Sequence, residues 1–238
     1  MLALIMIGVF ETILFPQNLF CENEFNPALE NRERFYIIIG TGSKFQLPEL
    51  RTYYLYSSLK TYRLSAHSFG NDLYRENMLK IGSCFHMRKF WSIGFSIGML
   101  NNWVKDNFNR YTYSLCLSSS FHMKNIKVSG WVNDINLPRL SNVDHLPLSY
   151  SMRFDHQTNE NFNFAFALRG MDKELPFFNF GIMFSPYNII HLGTGINTDP
   201  LYLEYMLKLN LGDFILAYSG CNHQYLGLSH SFNLHFYP

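Results

Sequence analysis

The sequence predicts an all-β fold, an antiparallel transmembrane β-barrel of about 12 strands within a range of about 10 to 14. Three observations predict it. After residue 30, apolar and polar side chains alternate with a period of two, as strands lying between two different environments require. Aromatic residues make up 17% of the 238 residues and charged residues only 16%, against roughly 25% charged in ordinary globular domains. The mean hydropathy is nonetheless -0.07, and beyond residue 16 no apolar run approaches the ~20 residues of a membrane helix. Strands that show one face to lipid and the other to a lumen satisfy all three.

The clearest strands lie in the C-terminal half. Leu146, Leu148, Tyr150, Met152 and Phe154 alternate with Ser149, Ser151, Arg153 and Asp155. Phe162 to Arg169 and Phe178 to Phe184 repeat the pattern, and Leu201 to Asn210 sets leucines against Glu204 and Lys208. A helix would scatter these charges around its circumference. Trp91 to Met99 and Tyr111 to Ser118 follow the same rule. Weaker strands are expected at Phe35 to Gly42, Thr61 to Phe69, Glu76 to Phe85, Ile126 to Val132, Ile190 to Asn197 and Phe214 to Ser219. Short turn-forming groups such as HQTNEN (156 to 161), SPYN (185 to 188) and NLGD (210 to 213) close hairpins between them, so neighbouring strands are antiparallel. Residues 133 to 147 form the longest irregular stretch. A meander of this size must hide its edges, and closure removes them. In a membrane barrel, Ser, Gly, Ala and Asn line the interior while Phe, Leu, Tyr and Ile face lipid. Period two alone does not tell inside from outside, so a soluble β-barrel or β-sandwich binding an apolar ligand is the alternative.

Residues 1 to 25 read as a degenerate export signal, apolar but without a basic start and interrupted by Glu11. Residues 26 to 238 read as one barrel domain. The four cysteines stand far apart, which excludes a zinc ribbon and favours single thiols in small spaces, with the disulfide state of Cys84, Cys116 and Cys221 open. A net charge of +1 gives no sign of a nucleic-acid partner.

Several landmarks resemble the PorV/PorQ-type outer-membrane proteins, a group related to FadL-like barrels. They are Asn26-Pro27-Ala28, Leu47-Pro48-Glu49-Leu50, Phe69-Gly70 followed by Leu73-Tyr74 and Glu76, Asn136 and Pro138 in INLP, and Leu226-Gly227 with His230. The resemblance implies the cell outer membrane as location, outer-membrane lipid and the barrel-assembly machinery as partners, and either a transport pore for a hydrophobic solute or a PorV-like component that meets an exported protein. It also implies that Leu228, His230, Phe232, Leu234 and Phe236 belong to the closing strand, with Tyr237-Pro238 trailing after it. The chain is short for a FadL-type barrel of fourteen strands, and no room for a well-developed N-terminal hatch is expected.

No enzyme, cofactor or metal is expected. IIIGTGSK (37 to 44) fails as a phosphate loop, since Ser43 precedes Lys44 and Phe45 follows it. The nine histidines form no HxH or HxxxH pair. In SHSF and AHSF, adjacent Ser and His point to opposite faces of a strand and cannot act as nucleophile and base; a pair drawn from separate strands stays open. Arg153, Asp155, Arg169, Glu204 and Lys208 are the expected lumen-lining residues, read as mutually neutralising pairs or as a solute-selecting constriction. Tyr53, Tyr54, Trp91, Trp103 and Tyr111 are expected in interfacial girdles.

Overall fold

The computed structural model describes Ala28 and residues 35–139, 145–172, 174–199, 201–223 and 227–238. The expected signal segment, its boundary at residue 25, Cys21 and Leu226 lie outside the described residues. Fourteen strands follow in chain order: β1 (Tyr36–Lys44), β2 (Leu47–Leu59), β3 (Tyr62–Gly70), β4 (Tyr74–Arg88), β5 (Trp91–Val104), β6 (Phe108–Met123), β7 (Ile126–Asn133), β8 (Ser149–Gln157), β9 (Phe162–Met171), β10 (Phe177–Tyr187), β11 (Ile190–Thr198), β12 (Leu201–Leu211), β13 (Phe214–His223) and β14 (Gly227–Phe236). Each pairs antiparallel with its sequence neighbour, and β14 pairs with β1 to close the barrel.

The count corrects the expectation of twelve. Thirteen of the fourteen strands coincide with expected segments, and the unexpected one is β2. Its inward residues are Tyr54, Tyr56 and Ser58, while Tyr53, Leu55 and Leu59 point outward. Tyrosine on both faces erases the alternation that marked the other strands. Tyr54, expected in a girdle, therefore faces the interior, whereas Tyr53 is 53% exposed on the outer surface.

Register fixes the width of the barrel. Following paired residues from Asn109 through Trp103, Arg75, Gly70, Arg51 and Ser43, then on through His230, Gly220, Tyr205, Thr194, Ile182, Phe164, His156 and Ile126, returns to β6 at Met123. The stagger from residue 109 to residue 123 is 14 residues over 14 strands. With a rise of about 3.3 Å per residue and a strand spacing of about 4.8 Å, the strands tilt by about 35° and the backbone radius is about 13 Å.

Large apolar side chains cover the outside. Phe95, Ile97, Leu115, Leu117, Phe180 and Leu203 are each between 42% and 57% exposed, while the alternating Ser96, Ser114, Cys116, Ser118, Asn179 and Glu204 are buried. The stripes thus face outward around a closed barrel, which corrects the alternative that turned them inward. On β4 to β6 the apolar band ends in a chain of amides. Asn77 Nδ2 donates to Asn101 Oδ1 at 3.0 Å, and Asn101 Nδ2 donates to Asn109 Oδ1 at 2.6 Å.

The end where β1 begins and β14 finishes is the base; the opposite end is the rim. Base turns are mostly two residues long, such as 60–61, 89–90, 124–125 and 212–213, with Lys60, Lys124 and Gly212 at φ of 53°, 45° and 71°. At the rim, Phe45 and Gln46 both carry positive φ, 53° and 58°, as a two-residue hairpin of this hand demands. The long connection there spans 134–148, so Asn133, expected in the loop, closes β7, and β8 begins at Ser149.

That connection corrects a second expectation. Leu146, counted at the head of an outward stripe, lies before β8 and is 5% exposed, packed with Phe69, Met78 and Leu100 from β3, β4 and β5. Asn136 holds the connection to the wall. Its Oδ1 accepts from the Leu115 amide at 2.9 Å, and its Nδ2 donates to the Tyr113 carbonyl at 2.6 Å. The INLP asparagine thus takes the place of the next β7 residue.

Candidate functional site: the barrel interior

The interior is furnished unevenly. β5 and β6 turn inward Ser92, Gly94, Ser96, Gly98, Ser114 and Ser118, whereas β2 to β4 turn inward Tyr54, Tyr56, Arg63, His67, Phe69 and Met78. Side chains of the second group reach across the first. Lys80 on β4 passes over Gly98 on β5, where an added Cβ would stand 2.7 Å from Lys80 Cγ, and its Nζ donates to Asn133 Oδ1 at 3.1 Å. Tyr54 likewise crosses β1 at Gly40 and donates to Asn233 Oδ1 on β14, lacing the closing seam.

Two segments outside the strands enter from opposite ends along the β3–β5 wall. At the rim, Leu146 completes the apolar cluster with Phe69, Met78 and Leu100. Near the base, Ala28 is fully buried, and its carbonyl accepts from Ser92 Oγ at 2.8 Å and from Cys84 Sγ at 3.7 Å. Of the segment before β1, where no room for a well-developed hatch is expected, only Ala28 and Phe35 belong to the described residues. Between the rim and base segments sits Asp134, fully buried, with both carboxylate oxygens lacking a hydrogen-bond partner among the described residues. Lys80 and Ser114 are its nearest polar neighbours.

The structure places the five charged candidates in three groups. Arg153 and Asp155, 5% and 7% exposed, form a fork with Nε to Oδ2 at 2.8 Å and Nη2 to Oδ1 at 2.5 Å. Lys127 on β7 lies within electrostatic reach of both. Arg169 and Glu204, each 1% exposed, lie beside Tyr202; Asn179 Nδ2 donates to Glu204 Oε1 at 3.3 Å and to Asn197 Oδ1 at 2.8 Å. Lys208 stands apart from both, nearer the base, paired across the sheet with His191. Cys84, Cys116 and Cys221 are free, buried thiols.

Sequence reading missed one constellation that only register assembles. Ser185 on β10, His191 on β11 and Asn210 on β12 form a chain near the base: Ser185 Oγ lies 2.6 Å from His191 Nδ1, and Asn210 Nδ2 lies 2.7 Å from His191 Nε2. The polarity is wrong for a nucleophile and base. Asn210 Nδ2 also donates to the Asn188 carbonyl at 2.9 Å, which fixes the amide orientation, so Nε2 accepts and the proton sits on Nδ1. His191 then donates to Ser185 and has no lone pair for its hydroxyl proton.

The closing strand has Leu228, His230, Phe232, Leu234 and Phe236 on its outer face, and Phe232 and Leu234 are 54% and 40% exposed. His230 packs edge-on to Phe232, with ring centroids 5.9 Å apart. Tyr237, past the end of β14, turns back and stacks on Tyr36 of β1 at 5.4 Å.

No family model matches the chain, and no curated relative does. Solved structures do match it. The CymD monoaromatic hydrocarbon channel aligns over 95% of this chain and 94% of its own with a TM-score of 0.63 and 8% identity. The chain shares with it the fold of a closed antiparallel β-barrel. Acinetobacter baumannii Omp33 aligns over 87% of this chain and 98% of its own (TM-score 0.58, 7% identity), and the Pseudomonas putida toluene transporter TodX over 90% and 91% (TM-score 0.57, 8% identity). At such identities the likeness is one of fold.

Proposed function

We propose that this protein is an outer-membrane channel that passes small solutes, apolar ones among them, through the barrel lumen. One observation carries the reading: an apolar outer surface encloses a barrel of about 13 Å backbone radius whose β5–β6 wall is serine and glycine. Eight strands are about the size that side chains alone can fill. A fourteen-stranded wall with small inward residues needs inserted chain to narrow it, and Leu146 and Ala28 show chain entering from both ends. Toward the rim the filling is apolar, with Phe69, Met78, Leu100 and Leu146 packed together and buried. CymD and TodX are described as a monoaromatic hydrocarbon channel and a toluene transporter, which makes a small aromatic hydrocarbon the first solute to test. The shorter turns at the base support a periplasmic base and a rim outside the cell.

The test has two stages. Envelope fractions are examined for a band that migrates faster unboiled than boiled, which a closed lipid-embedded barrel gives. The purified protein is then placed in planar bilayers and in liposomes with external toluene. Conductance and protein-dependent toluene entry support the channel. A heat-modifiable barrel with neither overturns it and favours the PorV-like role in protein export.

A further inference from the structure

Nearly every charged side chain on the strands points into the barrel. Among the described strand residues, the exceptions are few. Alternation carries Glu49 and Arg51 of β2 and Arg75 of β4 to the outer face at the rim, where all three are exposed. Arg88 ends β4 at the base, past the irregularity between His86 and Arg88. Register brings the two rim arginines to one point. Gly70, the last residue of β3, pairs with Arg51 on one side and with Arg75 on the other. The two arginine Cα atoms are thus two strand spacings apart, about 10 Å, with no side chain between them. Glycine is required there, since Gly70 has a φ of 113° and an added Cβ would strike the Tyr74 carbonyl oxygen.

Two observations set the level of this pair. β3 is 9 residues long, and about 9 to 11 residues of a tilted strand cross a bilayer, so Gly70 stands where the wall leaves the hydrocarbon. Tyr53, next below Arg51 on the outer face, is 53% exposed, and Trp103 of β5 pairs with Arg75. Rings of this kind sit at headgroup level. Below Gly70 the outer face of β3 is narrow. Ser68 lies between Tyr53 and Asn77, and Ala66 between Leu55 and Leu79, which leaves a shallow groove running down into the apolar band. The arginines are little neutralised. Arg51 makes no ion pair with Glu49 or with any other described residue. Arg75 Nη2 lies 3.6 Å from Asp72 Oδ1, beyond hydrogen-bond range, and the Asp72 side chain is fully exposed, so this pair is worth little in water.

We propose that Arg51 and Arg75 hold the phosphate monoester of an outer-leaflet glycolipid in the gap over Gly70, with an acyl chain of that lipid lying in the groove along Ser68 and Ala66. The inference rests on the proposed orientation, with the rim outside the cell, and not on conduction through the lumen. Two like charges fixed this close at the edge of a low-dielectric layer call for an anion between them. Guanidinium groups approaching from opposite sides suit a dianion with three free oxygens, because each can fork onto two of them. A phosphodiester headgroup offers one charge and two free oxygens, and fits less well. Free phosphate in water would meet the same arginines but gain nothing from the apolar groove below them, which favours the lipid over the ion.

The test uses the full chain purified in detergent, native mass spectrometry, and lipid A as the probe. The barrel is expected to retain lipid A in the presence of excess phosphatidylglycerol, and to lose it when the lipid has been stripped of its phosphates. Arg51→Gln and Arg75→Gln should each weaken retention about tenfold, the scale of one charge-assisted hydrogen bond. The inward Arg110→Gln should leave retention unchanged, and all three variants should stay heat-modifiable. No retention, equal retention of the stripped lipid or of phosphatidylglycerol, or unchanged retention in the double variant overturns the proposal. The orientation is read separately. Lys105→Cys, in the exposed turn between β5 and β6, should react with a membrane-impermeant maleimide in intact cells, and reaction only after lysis overturns the orientation and this inference with it. A barrel that retains lipid A through both arginines but passes no toluene upholds this inference and overturns the channel.

Discussion

Gly98→Ala tests how the interior is furnished. The new Cβ would lie 2.7 Å from Lys80 Cγ and 3.3 Å from Cε, against the 3.5 to 4.0 Å of ordinary carbon contacts. The lysine stem must shift by about 1 Å, which carries Nζ from 3.1 Å to beyond hydrogen-bond range of Asn133 Oδ1. A hydrogen bond from a charged donor contributes about 1.5 to 3 kcal/mol. Replacing glycine in a strand returns about 0.5 to 1 kcal/mol by restricting the unfolded chain. The net expected loss is about 1 to 2 kcal/mol, read from urea unfolding of the protein refolded in lipid vesicles. In a Lys80→Ala background nothing crosses Gly98, so the same substitution should be neutral or stabilise by about 0.5 kcal/mol, a coupling of about 2 kcal/mol. Equal costs in both backgrounds would mean that Lys80 does not lie over Gly98, and the account of an interior filled from β4 across β5 would fall.

Asp155→Ala leaves Arg153 buried beside Lys127 without its carboxylate and should cost about 3 kcal/mol in the same assay, while Arg153→Met with Asp155→Leu should cost much less. The inward charges are unbalanced, with Lys44, Arg63, Lys80, Arg110, Lys127, Arg153, Arg169 and Lys208 set against Glu76, Asp134, Asp155 and Glu204. Reversal potentials in a KCl gradient should show preference for chloride, and a cation preference would contradict the inward assignment of these residues. A fluorophosphonate probe should leave Ser185 unlabelled, since His191 donates to it; labelling there would show the opposite tautomer.

Period-two alternation by itself determined the antiparallel strands, and an aromatic-rich, charge-poor composition with near-zero mean hydropathy pointed to a closed barrel with an apolar outer face and not to a helical bundle. The starts of most strands were also legible, but β5, β6 and β13 run past Met99, Ser118 and Ser219 to Val104, Met123 and His223, and the turns at 45–46, 60–61 and 89–90 hold no Gly, Asn or Asp. Strand β2 was not legible: Tyr54 and Tyr56 look apolar in sequence but face inward, where only the ring of neighbouring strands shows room for them. Leu146 misled for the opposite reason, since a leucine two residues from an alternating run carries no mark of whether the backbone has yet entered the sheet. Tertiary structure alone decided which face is outside, because alternation is symmetric under exchange of the two faces. It also decided the stagger of 14, the reach of Lys80 to Asn133 and the meeting of Ser185, His191 and Asn210. Those depend on register between strands distant in sequence, and a register is a property of pairs that no single strand encodes.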